Sequence, residues 1–390
     1  MALASPALSA DGTAWNDGYP LKGLKNADAF MASFKNKAQH LGKDGKLRIL
    51  IIGDSLSDGG YHWSHHFRKD LQAAYGNGGL GAVWAAHAGG QPGQGFAPEW
   101  LWTTDDFTSW KGPQGRWRVG WGGRGEIWPY LGWNGYFLTT DDPQSSYELR
   151  AKGSKFTVVY SCGTFNTFDG ESVLNRAAGF TVAFDGREQT IAPAAGGAPL
   201  DIGLAKFEAP EGRHTLRISG VHDGTLWLHG VIVENSAPGV VVYNISRGGY
   251  WAHDFIWRQP GWEKILRECS PDYTIIFLTK PDSGGSAPVS DTNRLYEYER
   301  LVQRVSRAVP MTRFFFFKCW DPRDGISPAD AQTWKERTEW FEAKHYPYLD
   351  LQAGLDRNTM KQLGWFSDNI HLAPPGGQGI GDAIARLFLP

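Results

Sequence analysis

A largely apolar run near the start of the chain ends in a glycine followed by two small polar residues. The run extends from Leu47 to Ile52 and continues directly into Gly53-Asp54-Ser55. Branched apolar residues in succession predict a parallel strand buried on both faces, and a small residue then lets the chain turn sharply. Active sites of open α/β sheets form at the carboxyl edge of such strands. Ser55 is therefore a candidate nucleophile, and Asp54 is expected to hydrogen-bond the turn backbone.

A carboxylate and an imidazole lie three residues apart near the other end of the chain, at Asp368 and His371. A hydroxyl is a weak nucleophile until a positioned base removes its proton, and an imidazole oriented by a carboxylate is such a base. At this spacing the carboxylate can fold back onto the ring in a turn. A single serine after a strand is more often a helix N-cap. The two segments together favour an activated hydroxyl at Ser55.

Length and charge exclude several classes of protein. A chain of 390 residues can bury a large core and is expected to hold two structural units. A net charge of −2 gives no electrostatic reason to expect binding to nucleic acid or to an anionic membrane. No apolar stretch approaches the roughly 20 residues that span a bilayer, so no membrane insertion is expected.

Three cysteines, Cys162, Cys269 and Cys319, are too few and too scattered for a disulfide framework or a zinc site. Buried free thiols are expected, and a single disulfide such as Cys162–Cys269 is the alternative. The segment from Ala2 to Ala10 is rich in small residues and resembles the end of a secretory signal, although it lacks a basic region and a long apolar core. We expect an exported protein; an ordinary N-terminal segment is the alternative.

The pattern of the chain changes twice. Helix-type and strand-type patterns alternate at both ends, whereas in the middle short β-type runs alternate with turn residues, including the hairpin signal Asp185-Gly186. We therefore expect an α/β domain with a parallel sheet, formed by residues 1–104 and 234–390, interrupted by an all-β sandwich over residues 105–233.

The predicted helices of the α/β parts cover residues 26–41, 65–75, 262–268, 293–308, 328–344 and 378–387. The predicted strands there cover residues 47–52, 239–243, 273–278 and 313–318, and those of the middle stretch cover residues 155–160, 180–184, 214–218 and 226–233.

Three segments resemble conserved blocks of the SGNH/GDSL hydrolase superfamily. They are Ile51-Ile52-Gly53-Asp54-Ser55-Leu56-Ser57-Asp58, Asn244-Ile245-Ser246-Arg247-Gly248-Gly249 and Asp368-Asn369-Ile370-His371-Leu372. The resemblance implies a three-layer α/β/α fold in which Ser55 attacks, His371 removes its proton and Asp368 orients the imidazole. It also places an oxyanion-hole glycine at Gly249, or at Gly248 if the register differs by one residue.

A further conserved block of the superfamily is altered in this chain. Its pattern is Gly-x-Asn-Asp after a strand, whereas here the corresponding strand continues into Thr279-Lys280-Pro281-Asp282. Pro281 stands where the asparagine is expected, and proline has neither an N–H nor a side-chain donor. Lys280, or an asparagine elsewhere, is expected to replace the missing oxyanion donor. Lys280, Asp282 and Gly248 are also candidate substrate-binding residues.

Within the superfamily, the chain is most similar to peptidoglycan and exopolysaccharide O-acetylesterases. A helix precedes the Gly-Asp-Ser strand, residues 71–81 resemble a signature of these enzymes, and a carbohydrate-binding-like β-sandwich separates the first two blocks. The resemblance implies a serine esterase that removes acetyl groups from an acetylated polysaccharide through an acyl-serine intermediate, without a metal or an organic cofactor. We expect a monomeric protein. The N–H groups of Ser55 and Gly249 would stabilise the oxyanion.

Two other functions stay open at this point. A polysaccharide O-acetyltransferase would use the same architecture, with a sugar hydroxyl instead of water resolving the acyl-serine. A catalytically weakened protein could retain the fold and bind polysaccharide through its β-insert. A generic lipase is disfavoured because no apolar lid-like helix is evident.

The 18 tryptophans favour a carbohydrate ligand, because indole faces stack on sugar rings, although large aromatic cores are the alternative. Trp121, Trp128, Trp133 and Trp251 lie in glycine-rich stretches, and Trp251 is a candidate substrate contact.

Three histidines, His62, His65 and His66, lie near Asp58 and Asp70 in the sequence. His65 and His66 are adjacent, so we expect them to face different sides of a helix. Surface or cleft histidines are therefore expected rather than a metal site.

Overall fold

The computed structural model describes most of the 390-residue chain. The described residues are 22–42, 45–58, 62–85, 107–110, 114–121, 133–162, 179–192, 201–256, 261–278, 294–319, 328–353, 357–368 and 371–390. The helices are α1 (Asp28–Gln39), α2 (Trp63–Tyr75), α3 (Ala252–Ile256), α4 (Trp262–Cys269), α5 (Arg294–Ala308), α6 (Pro328–Ala343), α7 (Arg357–Gln362) and α8 (Pro374–Phe388).

The strands fall into two groups along the chain. The first strands are β1 (Leu24–Lys25), β2 (Lys46–Gly53), β3 (Gly81–Trp84), β4 (Phe107–Trp110), β5 (Arg118–Trp121), β6 (Tyr136–Thr140) and β7 (Tyr147–Cys162). They are followed by β8 (Gly179–Phe184), β9 (Arg187–Ile191), β10 (Asp201–His222), β11 (Leu226–Glu234), β12 (Gly239–Asn244), β13 (Tyr273–Phe277), β14 (Arg313–Lys318) and β15 (Tyr348–Asp350).

The four strands predicted for the α/β parts form a mainly parallel sheet, which confirms the mixed α/β class. Among the described strands the order is β1-β15-β14-β13-β2-β12, and only β1 is antiparallel to its neighbour. Strand β2 has β12 on one side and β13 on the other. The chain therefore turns to opposite sides of β2, and ligands of open α/β sheets bind at such a switch point.

Alternate residues of β2 belong to different hydrophobic cores. Ile49 and Ile51 pack in a cluster with residues of α1, α2 and α8, whereas Leu50 and Ile52 pack in a second cluster with residues of α4, α5 and α6. Both faces of the strand are thus covered, which is why it is a nearly continuous apolar run.

The predicted helices are confirmed, with small shifts at their ends. The largest shift is in α8, which begins at Pro374 instead of residue 378. Proline is favourable in the first turn of a helix, because the N–H that it lacks would have no partner there. The buried strand Phe314–Phe317 is also confirmed within β14.

The middle stretch of the chain forms an antiparallel sheet. Its described strands are ordered β5-β6-β11-β7-β10-β8-β9, with β3 and β4 paired to β11 and β7. Strand β3 joins this sheet although it precedes residue 105. The predicted hairpin between β8 and β9 is present, with Asp185 and Gly186 both at positive φ. A division into two packed sheets stays a prediction.

The antiparallel sheet shares a core with the parallel one. Side chains of β7 and β11 belong to the same hydrophobic cluster as Leu50 and Ile52 of β2. Cys269 and Cys319 are buried free thiols, as expected, while the side chain of Cys162 and the N-terminal segment lie outside the described residues. Among the described helices, none combines the length and the apolar character needed to cross a membrane.

Candidate active site

The turn after β2 is shaped by close packing at Gly53. A Cβ atom on Gly53 would lie 2.6 Å from the Ser57 Oγ and 2.8 Å from the Ser246 Oγ, so only glycine fits. The Asp54 Oδ1 accepts a hydrogen bond of 3.0 Å from the Leu56 N–H, the turn-supporting role expected of this aspartate. The turn therefore presents Ser55 at the carboxyl end of β2.

The segment after β12 continues alongside β2 into the same region. The Ile245 N–H donates to the Ile51 carbonyl over 2.9 Å, and the Arg247 N–H donates to the Gly53 carbonyl over 3.0 Å. Gly248 is consequently close to the turn, where a Cβ atom on it would lie 3.5 Å from the Ser55 Cβ.

A tight loop before α8 holds the Asp-x-x-His segment. A bridge pairs Phe366 with Leu372, and the Ser367 N–H donates to the His371 carbonyl over 2.9 Å. The buried Trp365 anchors this loop against α8. A Cβ atom on Gly376 would lie 2.3 Å from the Trp365 carbonyl oxygen. At this position the backbone of α8 therefore packs directly against the backbone of Trp365.

These elements bring Ser55, His371 and Asp368 into one hydrogen-bonded line. The Ser55 Oγ lies 3.1 Å from the His371 Nε2, and the His371 Nδ1 lies 2.7 Å from the Asp368 Oδ2. The Asp368 Oδ1 also accepts from the His371 backbone N–H over 2.6 Å. A carboxylate can only accept, so the Nδ1 carries the imidazole proton and the Nε2 is left to accept the serine proton.

Two backbone N–H groups beside Ser55 have no acceptor among the described residues: those of Ser55 and Gly249. Gly249 has φ of +76°, a left-handed conformation that glycine adopts at no steric cost. The Gly248 N–H, in contrast, donates to the Asp58 Oδ2 over 2.5 Å. Gly249 is therefore the better candidate for an oxyanion donor, and the alternative register at Gly248 is disfavoured.

In the sequence, Asp58 ends the first matched block and lies near the histidines but was given no catalytic role, yet it lies against the candidate site. Its side chain is buried, and burial raises the pKa of its carboxyl to about 7. The Gly248 N–H and the Arg247 guanidinium act in the opposite direction on this pKa, and Asp54 adds to the rise. The only sequence signal for this contact was that Asp58 and Gly248 occur in two matched blocks.

Arg247 connects the candidate site to the antiparallel sheet. Its guanidinium lies 4.3 Å from the ring centroids of both Tyr136 and Tyr250, and its Nη1 donates to the Gly135 carbonyl over 2.9 Å. The neighbouring Asn134 Nδ2 donates to the Ser246 carbonyl over 3.4 Å. Residues at the start of β6 thus support the segment that carries Gly248 and Gly249.

The remaining candidate residues do not add to this site. Lys280, Pro281 and Asp282 lie outside the described residues, so the donor that replaces the missing asparagine stays a prediction. The side chain of Trp251 is only 6% exposed, which favours core packing over the proposed stacking on a sugar. Trp133 is likewise completely buried.

The histidines near Ser55 differ from expectation. His62 and His65 are buried, not on the surface, and burial lowers the pKa of His65 to about 3. The rings of His65 and His66 are in edge-to-face contact with centroids 5.2 Å apart. His65 nevertheless lies near Val242 and Asn244, whereas His66 lies against Gly381 of α8, in agreement with the expectation that they face different sides of the helix. Over the described part of the chain, no group of three or more potential ligands is arranged to hold a metal.

Structural comparison identifies a solved protein with the same arrangement of elements. A peptidoglycan O-acetylesterase matches with a TM-score of 0.66, covering 94% of this chain and 96% of that one at 16% sequence identity. This chain shares its fold. The resemblance to SGNH/GDSL-type O-acetylesterases that the sequence blocks indicated is thereby confirmed at the level of the fold.

A family two carbohydrate esterase from Clostridium thermocellum, solved as an active-site mutant, matches more weakly. Its TM-score is 0.30 at 10% identity, and the match covers 70% of this chain and 97% of that one. No protein-family model matches the chain, and no curated protein matches it in sequence.

Proposed function

We propose that this protein is a serine esterase that removes O-acetyl groups from a polysaccharide. The observation that carries the proposal is the line from the Ser55 hydroxyl through His371 to Asp368, located beside two N–H groups that have no acceptor among the described residues. A nucleophile, its base, the partner of the base and an oxyanion site are the parts that acyl transfer requires.

In the proposed reaction, the Ser55 Oγ attacks the carbonyl carbon of an acetyl ester while the His371 Nε2 takes the hydroxyl proton. Asp368 stabilises the imidazolium that forms. The N–H groups of Ser55 and Gly249 bind the oxyanion of the tetrahedral intermediate. The imidazolium returns its proton to the leaving sugar oxygen, and water then releases acetate from the acyl-serine by the reverse sequence.

The substrate class rests on the shared fold. The structural relative with a TM-score of 0.66 is described as a peptidoglycan O-acetylesterase, so acetylated peptidoglycan is the first substrate to test. We further propose that residues 105–233 form a carbohydrate-binding-like insert between two parts of an α/β domain, residues 1–104 and 234–390. Peptidoglycan lies outside the cytoplasm, so we also propose that the protein is exported.

The direct test compares acetate release by the wild type, Ser55→Ala and a control variant, Ser219→Ala. Ser219 lies on β10 in the antiparallel sheet and takes no part in the contacts around Ser55. We expect p-nitrophenyl acetate and acetylated peptidoglycan to be hydrolysed by the wild type and the control. Ser55→Ala is expected to lose at least about 1000-fold in kcat, with an unchanged circular dichroism spectrum.

A panel of acetylated glycans, including xylan and alginate-type chains, identifies the preferred polymer. An acetyl group trapped on Ser55 and detected by peptide mass spectrometry would support the acyl-serine step. Retention of full esterase activity in Ser55→Ala would refute the proposal. Appearance of the acetyl group on an added sugar acceptor, with no free acetate, would replace hydrolysis by transfer.

A further inference from the structure

A buried carboxylate lies next to the candidate nucleophile without being one of its partners. Asp58 follows Ser55 by three residues and is only 7% exposed. Its Oδ2 accepts the Gly248 N–H over 2.5 Å, from the residue that immediately precedes the candidate oxyanion donor Gly249. A hydrogen bond between an amide and a charged carboxylate is stronger than one between neutral groups.

The surroundings of Asp58 come from three different parts of the chain. Asp54 lies in the same turn, Arg247 follows β12, and Tyr136 begins β6. The positive charge of Arg247 favours an ionised Asp58, whereas burial and the negative charge of Asp54 disfavour it. The rings of Tyr136 and Tyr250 fix the position of that positive charge.

The hydrogen bond to Asp58 restricts the backbone at the point where the oxyanion site is formed. Gly248 has little space, because a Cβ atom on it would lie 3.1 Å from the Asp58 Oδ2. Gly249 has a left-handed φ, and no atom of the described residues lies within 4 Å of its Cβ position, so packing against these residues does not fix its orientation. Among the described residues, two hydrogen bonds hold this turn: the Tyr250 N–H donates to the Arg247 carbonyl over 3.2 Å, and the Gly248 N–H donates to Asp58. The bond to Asp58 is the one that involves a side chain.

We propose that Asp58 is a positioning residue whose carboxylate holds the Gly248 N–H and thereby keeps the Gly249 N–H directed at the oxyanion formed on Ser55. This inference rests on the proposed esterase function and deepens it. Protonation of Asp58 replaces the charge-assisted hydrogen bond by a weaker neutral one. Esterase activity then falls at acidic pH as Asp58 is protonated, because burial raises the pKa of its carboxyl to about 7.

The kinetic test uses Asp58→Asn, Asp58→Ala and the control Asp70→Asn. Asp70, on α2, is a half-buried carboxyl whose pKa is also raised, to about 6. Its neighbour is Asp382, not the segment that carries Gly248 and Gly249. We expect Asp58→Ala to lose roughly 10- to 100-fold in kcat with little change in KM, since misplacement of a single oxyanion donor has effects up to this size. The side-chain amide of the Asp58→Asn variant still offers an oxygen to the Gly248 N–H, but only through a neutral hydrogen bond. This variant is therefore expected to lose less activity than Asp58→Ala and to have the reduced kcat that the wild type shows once Asp58 is protonated.

The pH profile separates positioning from a general structural role. In the wild type and in Asp70→Asn, kcat at acidic pH is expected to include a fall that follows the protonation of Asp58, and this fall is expected to be absent in Asp58→Asn. Wild-type activity in Asp58→Ala, or a pH profile of kcat in Asp58→Asn that is unchanged from the wild type, would overturn the inference. Thermal unfolding of each variant identifies any loss of activity that comes from misfolding. If Asp58→Ala does not fold, the inference is tested with Asp58→Asn alone.

A spectroscopic test works whether or not the protein hydrolyses esters. Labelling with carbonyl-13C arginine and 15N glycine selects Arg-Gly pairs, which occur in this sequence only at Arg124-Gly125 and Arg247-Gly248. We expect the Gly248 amide signal to lie downfield, to titrate with the ionisation of Asp58 and to lose this titration in Asp58→Asn. If the Gly248 signal changes neither with pH nor with the substitution, the contact with Asp58 is refuted. If the signal titrates but the wild type has no esterase activity, the esterase function is refuted instead.

Discussion

The Asp368 carboxylate binds His371 twice, through the backbone N–H over 2.6 Å and through the ring Nδ1 over 2.7 Å. One oxygen thus fixes the loop while the other fixes the ring that the loop carries. Because Asp368 itself is exposed, this local double contact, more than burial, keeps the imidazole directed at Ser55.

Replacing Asp368 with asparagine should remove activity while preserving the fold. The amide group would donate where the carboxylate accepts, so the imidazole proton would move to the Nε2 and block its function as a base. We expect kcat to fall by roughly 10³- to 10⁴-fold, measured with p-nitrophenyl acetate near neutral pH. Asp223→Asn is the matched control, since Asp223 pairs with His222 in an exposed position elsewhere, and full activity is expected there.

Gly249→Ala tests the oxyanion donor. The left-handed φ of +76° strains any residue with a Cβ, at a cost of roughly 1–2 kcal/mol, although no atom of the described residues obstructs the Cβ position. We expect the backbone to relax and the amide to turn away, with a loss of about 100-fold in kcat. Gly186→Ala, at φ of +78° in the β8–β9 hairpin and equally unobstructed, should show the strain without the loss of activity.

Arg247→Lys should not be a conservative change. Lysine cannot stack as a plane between Tyr136 and Tyr250, and a single ammonium group is a poor replacement for the rigid donors of arginine. We expect a loss of roughly 2–3 kcal/mol in the free energy of unfolding together with a lower kcat, measured by urea denaturation and ester hydrolysis. Arg304→Lys is the comparison, because Arg304 lies 4.9 Å from the Trp262 ring away from Ser55 and should lose stability alone.

Asp58→Asn should change how stability depends on pH. The pKa of the Asp58 carboxyl is about 7 in the folded protein against an ordinary value of 3.8, so the folded state binds this proton more tightly than the unfolded state. The stabilisation is therefore complete below the lower value and is lost as pH rises through the higher one.

The asparagine variant has no such loss. Its free energy of unfolding relative to the wild type should rise by up to roughly 4 kcal/mol between about pH 4 and pH 8. Denaturant unfolding at several pH values measures this difference. A difference between the two proteins that stays constant with pH would contradict the assignment.

Local patterns in the sequence were sufficient to predict much of the fold. The strand over 47–52 and the helix over 26–41 are visible because burial on two faces and burial on one face leave different periodicities. Strand β3 was not predicted. It has only four residues, and its partner β11 lies about 150 positions later in the chain, which no local pattern reports.

In the candidate site, too, local patterns predicted some residues and missed others. Ser55, His371 and Asp368 were predicted because they occur in recognisable blocks at fixed spacing. Asp58 and Arg247 occur in those blocks as well, but their importance depends on burial and on Tyr136, which belongs to a different sheet. Contacts of this kind arise from tertiary packing and cannot be derived from spacing.

The order of strands also governs when this site can exist during synthesis. Strand β2 leaves the ribosome early, but its neighbour β12 follows only after the long antiparallel stretch, and the imidazole follows later still. Contacts between such distant segments form slowly, and unpaired strand edges are prone to aggregation. A nascent chain carrying the serine thus has no imidazole beside it, so the proposed catalytic site would stay incomplete until translation and folding are nearly finished.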